Sequence, residues 1–191
     1  MRIAIIGKLA NEEEFDASRY DEVWGMNLVL HPWVKKWTHR FQLHAYQHLE
    51  KNWSGGLKQL SEWLHQHKEV PLYTLDRWPD EVAPNQRIFP RQKLEEFPRA
   101  NYHCCTVDWL IAFAIHLNAT AIGLHGVSSD ICSDQPLSAR ACIEYWSGFA
   151  AGRGIRMISA ADCGLFCYLH LVRSNTVYGY DDTDLFEDRR R

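Results

Sequence analysis

The sequence predicts an α/β fold in three layers, with helices on both faces of a mostly parallel sheet. Three observations predict it. Short, largely apolar runs at Ile3–Ile6, Ala121–Leu124 and Ile155–Ile158 read as strands buried on both faces. The segments between them carry apolar residues at helical spacing. Strand and helix alternate along the chain, as βαβ units require. The chain has 191 residues, 46% hydrophobic and 24% charged, enough to build one substantial core.

Taken in order, the first strand, Ile3 to Ile6, ends at Gly7-Lys8-Leu9-Ala10-Asn11, where the glycine lets the backbone turn closely. Asn11 and Glu14 have the spacing of a helix-capping pair. A second strand runs from Glu22 to Met26 and ends at Asn27. A third runs from Arg40 to Leu43 and ends at His44, and His31–Trp37 forms a loop between the two. Leu57, Leu60, Trp63 and Leu64 predict a helix over 57–67, followed by a strand from Val70 to Leu75. Residues 76–98 are rich in proline and charge. They read as an irregular excursion with a short helix near Gln92–Phe97, placed to act as a flap.

The second half has the stronger periodicity. Cys105–Leu117 reads as an apolar helix that turns Val107, Leu110, Ile111, Ala114 and Ile115 toward the sheet. A strand at Ala121–Leu124 ends at His125-Gly126. A helix at Ser138–Gly152 is closed by Gly152 or Gly154 as a left-handed cap. The expected organisation is one domain over 1–180 and a polar, mobile tail over 181–191.

Composition narrows the function. A net charge of −3 argues against bulk binding of nucleic acid through its phosphates. The first apolar run is too short for a secretory signal, and no run reaches the length of a membrane span. The six cysteines show no paired CxxC sets, so they read as reduced thiols in a cytoplasmic protein. No metal and no cofactor is expected. His44 and His48 are four residues apart, but chance pairs are expected among ten histidines.

In an open parallel sheet, ligands sit beyond the carboxyl ends of the strands. Those ends carry Gly7, Lys8, Asn27, His44 and the run from His125 through Ser128 to Asp130. Asn27 offers an amide suited to a base or ribose, or else simply caps a turn. His44 and His125 are the candidate general bases, each with a structural histidine as the alternative. Thr106 stands at the start of the apolar helix, where free N–H groups favour an anion. Cys105 beside it reads either as a nucleophile with a lowered pKa or as a structural thiol. Arg140 and Glu144 have the spacing of an ion pair or of ligand contacts, and Arg153 closes the group of candidate binding residues.

Several of these pieces resemble a known family. Ile3–Gly7, Val23-Trp24-Gly25-Met26-Asn27 and Phe41-Gln42-Leu43-His44 resemble the opening of small phage-encoded Rossmann-like proteins. Glu144-Tyr145-Trp146-Ser147-Gly148-Phe149-Ala150-Ala151-Gly152-Arg153-Gly154-Ile155 is similar to that family's most distinctive motif, and Tyr178-Gly179-Tyr180 to its closing one. These phage proteins in turn resemble bacterial sialyltransferases of the Campylobacter type and motility accessory factors. The resemblance implies a Rossmann-like fold and a metal-independent site for a nucleotide or nucleotide-sugar. It places Gly7 and Asn27 near the nucleotide and Thr106, in place of a serine, near phosphate or sugar. Gly126-Val127-Ser128 matches a Gly-hydrophobic-Asp element. The sequence departs from the pattern at Lys8-Leu9-Ala10 (for Gly-Pro-Ser), at Ser128 (for aspartate, with Asp130 two residues on) and at Ala139 (for glutamine).

Two functions follow. One is a glycosyltransferase-like protein that acts from a nucleotide donor. The other is a non-catalytic nucleotide binder that sequesters a signal or assists DNA modification, in the cytoplasm of a phage-infected bacterium. A homo-oligomer is compatible with either. A structural or assembly protein is the third and weaker alternative.

Overall fold

The computed structural model describes residues 1–97, 101–127 and 137–159. Seven strands form one sheet: β1 (Arg2–Ile6), β2 (Glu22–Met26), β3 (His39–Gln42), β4 (Leu72–Thr74), β5 (Gln86–Ile88), β6 (Ala121–His125) and β7 (Arg156–Ser159). Their order is β5-β4-β3-β2-β1-β6-β7, and every pair is parallel. The helices are α1 (Tyr46–Asn52), α2 (Ser54–Gln66), α3 (Arg91–Leu94), α4 (Thr106–His116) and α5 (Leu137–Gly152). This is a Rossmann-like α/β fold.

Alternation along the strands divides the core between two faces. Ile3, Ile5, Trp24, Met26, Phe41, Ile122 and Leu124 point to one face and pack with Leu110, Ile111 and Phe113 of α4 and Ile143, Trp146 and Ala150 of α5. Ala4, Ile6 and Val23 point to the other, against Tyr20, Val34, Trp37 and Val70. There α1 and α2 cover β4, with Leu49, Leu57, Leu60 and Leu64 around Leu72 and Trp78. The near-continuous apolar strands are thus explained by two buried faces.

Within the irregular stretch after β4 the structure adds β5, an edge strand paired with β4, and the single turn α3. Its middle and last residues, Arg87 and Ile88, are exposed, so no apolar run marked it. Trp78, on the same stretch, is 2% exposed, and Gln86 fastens it by accepting from the Trp78 N–H at 2.7 Å and donating to its carbonyl at 2.7 Å.

The chain runs outward from β1 to β5, then returns across β1 to β6 and β7, so the switch point of the topology lies between β1 and β6. There the two loops touch through backbone. The Gly7 N–H donates to the His125 carbonyl at 2.7 Å, and the Leu9 N–H donates to the Gly126 carbonyl at 3.1 Å. A Cβ on Gly7 would lie 2.4 Å from the Gly126 oxygen. Gly126 itself has φ +60°. The two glycines let the loops close on each other at the switch point.

Candidate functional site

The strand ends on the α4 side of the sheet meet the first turn of that helix. Asn27 follows β2 directly and adopts the left-handed conformation, φ 53°. Asparagine tolerates this region better than most residues. Its N–H donates to the Phe41 carbonyl at 2.7 Å, and its own carbonyl accepts from Arg40 at 3.1 Å. The Thr106 hydroxyl donates to Asn27 Oδ1 at 3.1 Å. The Asn27 Nδ2 group has no partner among the described residues. Gly7 stands beside this pair, since β1 and β2 are neighbours with Ile6 opposite Gly25. Gly7, Asn27 and Thr106 therefore share one rim, and the amides of Thr106 and Val107 open the helix there. Lys8 follows Gly7 and is exposed.

Other residues singled out from the sequence go elsewhere. His125 is 7% exposed and points to the opposite face of the sheet, because it alternates with Leu124, which packs toward α4. There its Nε2 shares a hydrogen bond with the Tyr20 hydroxyl at 2.8 Å, and Phe15 meets the ring edge-on. His44 lies on the α1 side. Its Nδ1 is 2.6 Å from Gln42 Oε1, and its ring faces His48 and the edge of Trp53. The expectation that Gly7, Asn27, His44, Thr106 and His125 surround one hollow is corrected: strand alternation turns His125 away from α4, and His44, past the end of β3, packs against His48 and Trp53. Arg140 and Glu144 pair at 2.8 Å on the first turns of α5. Arg153 stands past the end of α5, just before β7, whose first residue pairs with the first of β6. That is the opposite end of the sheet, where Arg153 lies over the rings of Phe97 and Phe149. Ser128 and Asp130 lie outside the described residues. An open hollow of about 720 Å³ between α1, α2 and Val82 lies on the outer side of the helices, not at this rim.

The first turn of α4 is tied down by Asp108, which is fully buried. Its Oδ2 accepts from the N–H groups of Cys104 at 2.8 Å and Cys105 at 3.0 Å, and its Oδ1 lies 2.8 Å from His103 Nδ1. Burial, then the Asp108 charge, push the Cys105 thiol well above its ordinary pKa. The nucleophile reading of Cys105 is therefore corrected in favour of the structural one, since burial and the neighbouring Asp108 carboxylate both disfavour the thiolate.

The sequence reading missed Arg40, buried in mid-strand with 0% exposure. It donates to the carbonyls of Asn27 and Val29, lies between the rings of Trp37 and Trp63, and its pKa is lowered by burial to about 9. It holds the left-handed turn that presents Asn27. His31 was also missed; its Nε2 is 2.8 Å from the Gly7 carbonyl. Neither carries a sequence signal, because each acts on backbone oxygens of a distant segment.

Two histidines set a pH dependence. Burial, with His48 nearby, holds His44 below the usual 6.5. Burial also lowers His39, with Glu22 opposing and Arg87 adding to the effect. The unfolded chain then binds more protons than the folded one below 6.5. Their contribution is complete above that pH and is lost as pH falls through the lowered folded values. Urea unfolding is expected to give a falling midpoint as pH drops below 6.5, and the slope should flatten in a His39→Gln, His44→Gln double variant. An unchanged slope would remove these groups as the cause.

An open parallel sheet with a polar rim at its switch point defines a class of α/β proteins that bind ligands at strand ends. No family model matches the chain, and no curated protein matches its sequence. Solved structures do share its fold. One is a crystal structure of a point mutant of the α-2,3/8-sialyltransferase CstII, 15% identical, with a TM-score of 0.50 over 86% of this chain and 82% of that one. Another is the sialyltransferase CST-II in complex with a trisaccharide acceptor and CMP, 16% identical, with a TM-score of 0.53 over 86% and 82%. A third is CstII from Campylobacter jejuni with cytidine-5'-monophosphate, 13% identical, with a TM-score of 0.50 over 83% and 79%. The likeness to these sialyltransferases is one of fold.

Proposed function

We propose that this is a glycosyltransferase-like protein that binds a nucleotide or nucleotide-sugar at the Gly7–Asn27–Thr106 rim. One observation carries the reading: the Thr106–Asn27 hydrogen bond joins a left-handed amide turn to the N-terminus of the central helix. The amides of Thr106 and Val107 and the helix dipole suit a phosphate, and the Nδ2 of Asn27, without a partner among the described residues, suits a base carbonyl or ribose hydroxyl. Gly7 leaves room for close approach, and Lys8 adds a positive charge beside it. CMP is the first nucleotide to test, because two of the structural relatives are complexes with it.

If a sugar is transferred, the charge that develops on the departing phosphate would be stabilised by the same helix amides. This reading assigns no base to His44 or His125, since both imidazoles turn away from the rim. Arg140 and Glu144, near the start of α5, and Ser128 and Asp130, beyond β6, are assigned to the donor sugar or phosphates. The free thiols among the described residues, Cys104, Cys105 and Cys142, and the phage-type motifs support a cytoplasmic protein of a phage-infected bacterium.

Calorimetric titration with CMP is expected to give saturable binding at one site. Thr106→Val should weaken it about tenfold, roughly 1.4 kcal/mol, because loss of the hydrogen bond to Asn27 Oδ1 releases the turn that presents the Asn27 amide. Incubation with CMP-sugars then separates the functions. Release of free CMP above background indicates transfer or hydrolysis, whereas donor recovered intact from the bound state indicates a binder. A folded protein that takes up no nucleotide would end both.

A further inference from the structure

The first turn of α4 also gathers side chains that sequence spacing did not connect. The sulfurs of Cys104 and Cys105 and a carboxylate oxygen of Asp108 all lie within 4.8 Å of one another. A third sulfur stands nearby on α5, where the buried Cys142 thiol lies beside that of Cys104. We propose that Cys104, Cys105, Cys142 and Asp108 form a site for one thiophilic divalent cation of the zinc class, which pins the start of α4 to α5.

The donor set fits such an ion. Zinc takes four ligands in a tetrahedron with Zn–S near 2.3 Å, so its sulfur ligands sit about 3.8 Å apart. Cys104, Cys105 and Asp108, spread over at most 4.8 Å, close on an ion with a contraction of about one ångström, within reach of small cysteine χ1 rotations, and Cys142 would complete the shell from α5. Three sulfurs and one oxygen favour zinc over magnesium or calcium, which prefer all-oxygen shells. Asp108 has a lone pair left, since three of its roughly four acceptor positions are used by Cys104 N–H, Cys105 N–H and His103.

The surroundings suit the charge that would develop. On binding, the three thiols release their protons to solvent, and a dication with three thiolates and a carboxylate carries a net −2. The positive end of α4 and the two backbone N–H groups on Asp108 oppose that charge. His103, stacked between Trp109 at 3.6 Å and Trp146 at 4.6 Å, orients the carboxylate as an outer-shell partner. Cys104 is exposed and supplies the entry path.

The test is equilibration of the full chain, kept reduced with a phosphine, with zinc and separately with cobalt(II), followed by gel filtration and metal analysis. One equivalent of zinc should be retained, and the cobalt form should show a thiolate-to-cobalt charge-transfer band in the near ultraviolet. Cys104→Ser, at an exposed position that leaves folding intact, should weaken binding more than tenfold and diminish that band. Cys142→Ala should do the same, with circular dichroism as the check on folding. No retained metal on the folded, reduced protein would overturn the proposal. So would unchanged binding in Cys104→Ser, which would place the ion on Cys132, Cys163 or Cys167. The experiment contains no nucleotide, so its outcome is independent of the CMP titration.

Discussion

Gly126→Ala is expected to cost about 3–5 kcal/mol, most of the stability of an ordinary domain, and to abolish binding at the rim. Two effects add. Gly126 has φ +60°, a conformation that a residue with a Cβ adopts at a cost. Its Cβ would also lie 1.7 Å from the Ala10 nitrogen and 2.3 Å from the Leu9 carbonyl carbon. Both are backbone atoms, so no side-chain rotation relieves the clash. The loop after β1 must move, and the hydrogen bond from Leu9 N–H to the Gly126 carbonyl goes with it. Gly7→Ala should act in the same direction through its 2.4 Å approach to the Gly126 oxygen. Gly148 is the control: it lies inside α5 with nothing within 4 Å of a new Cβ, so Gly148→Ala should raise stability by about 0.5–1 kcal/mol. Urea unfolding of the three variants measures this. If Gly126→Ala unfolds at the wild-type midpoint, the close apposition of the two loops is wrong.

Trp146→Ala is expected to cost about 3–5 kcal/mol as well, by a different route. Trp146 is fully buried in the core beneath α4 and α5. Its Nε1–H donates to the Tyr102 carbonyl at 2.9 Å, and its ring stacks on His103 and meets Phe97 and Phe149 near edge-on. Truncation leaves a large cavity and frees the segment that leads into Thr106. Loss of stability should therefore be joined by weaker CMP binding. Trp146→Phe keeps most of the ring and loses the hydrogen bond, so it should cost about 1–2 kcal/mol, with nucleotide affinity partly restored. Melting and calorimetry on the two variants distinguish packing from the hydrogen bond. Wild-type CMP affinity in a destabilised but folded Trp146→Ala would show that residues 102–105 do not position the helix start.

This second case shows what the late motif Glu144–Ile155 does in the folded chain. Its aromatic residues tie α5 to the approach to α4: Trp146 through Tyr102, and Tyr145 by its edge-to-face contact with the same tyrosine. The motif stood out in the sequence, but the packing partner lies more than forty residues away and carries no periodic signal.

Strand and helix positions were largely legible. The second strand, read as Glu22–Met26, is β2 to the residue, and the helix read as Cys105–Leu117 is α4 with one residue trimmed at each end. Both owe this to burial on two faces, which imposes long apolar runs. The first of the two helices between β3 and β4 was not legible. Leu49 is the one buried residue of α1, too little to establish a helical period.

Among candidate site residues, the sequence located the strand ends, because a polar residue after an apolar strand marks the rim of a parallel sheet. It could not decide which way each side chain points. His125 and Gly126 are adjacent in sequence, yet the imidazole turns to Tyr20 while the glycine faces the loop after β1. A strand end by itself does not say which of two buried faces its last side chain will join. The amino-acid pattern thus determined the layers and the rim. Only the tertiary structure joined Asn27 to Thr106, seventy-nine residues apart, and Cys142 to Cys104, because such contacts are made where helices pack across the sheet rather than by spacing along the chain.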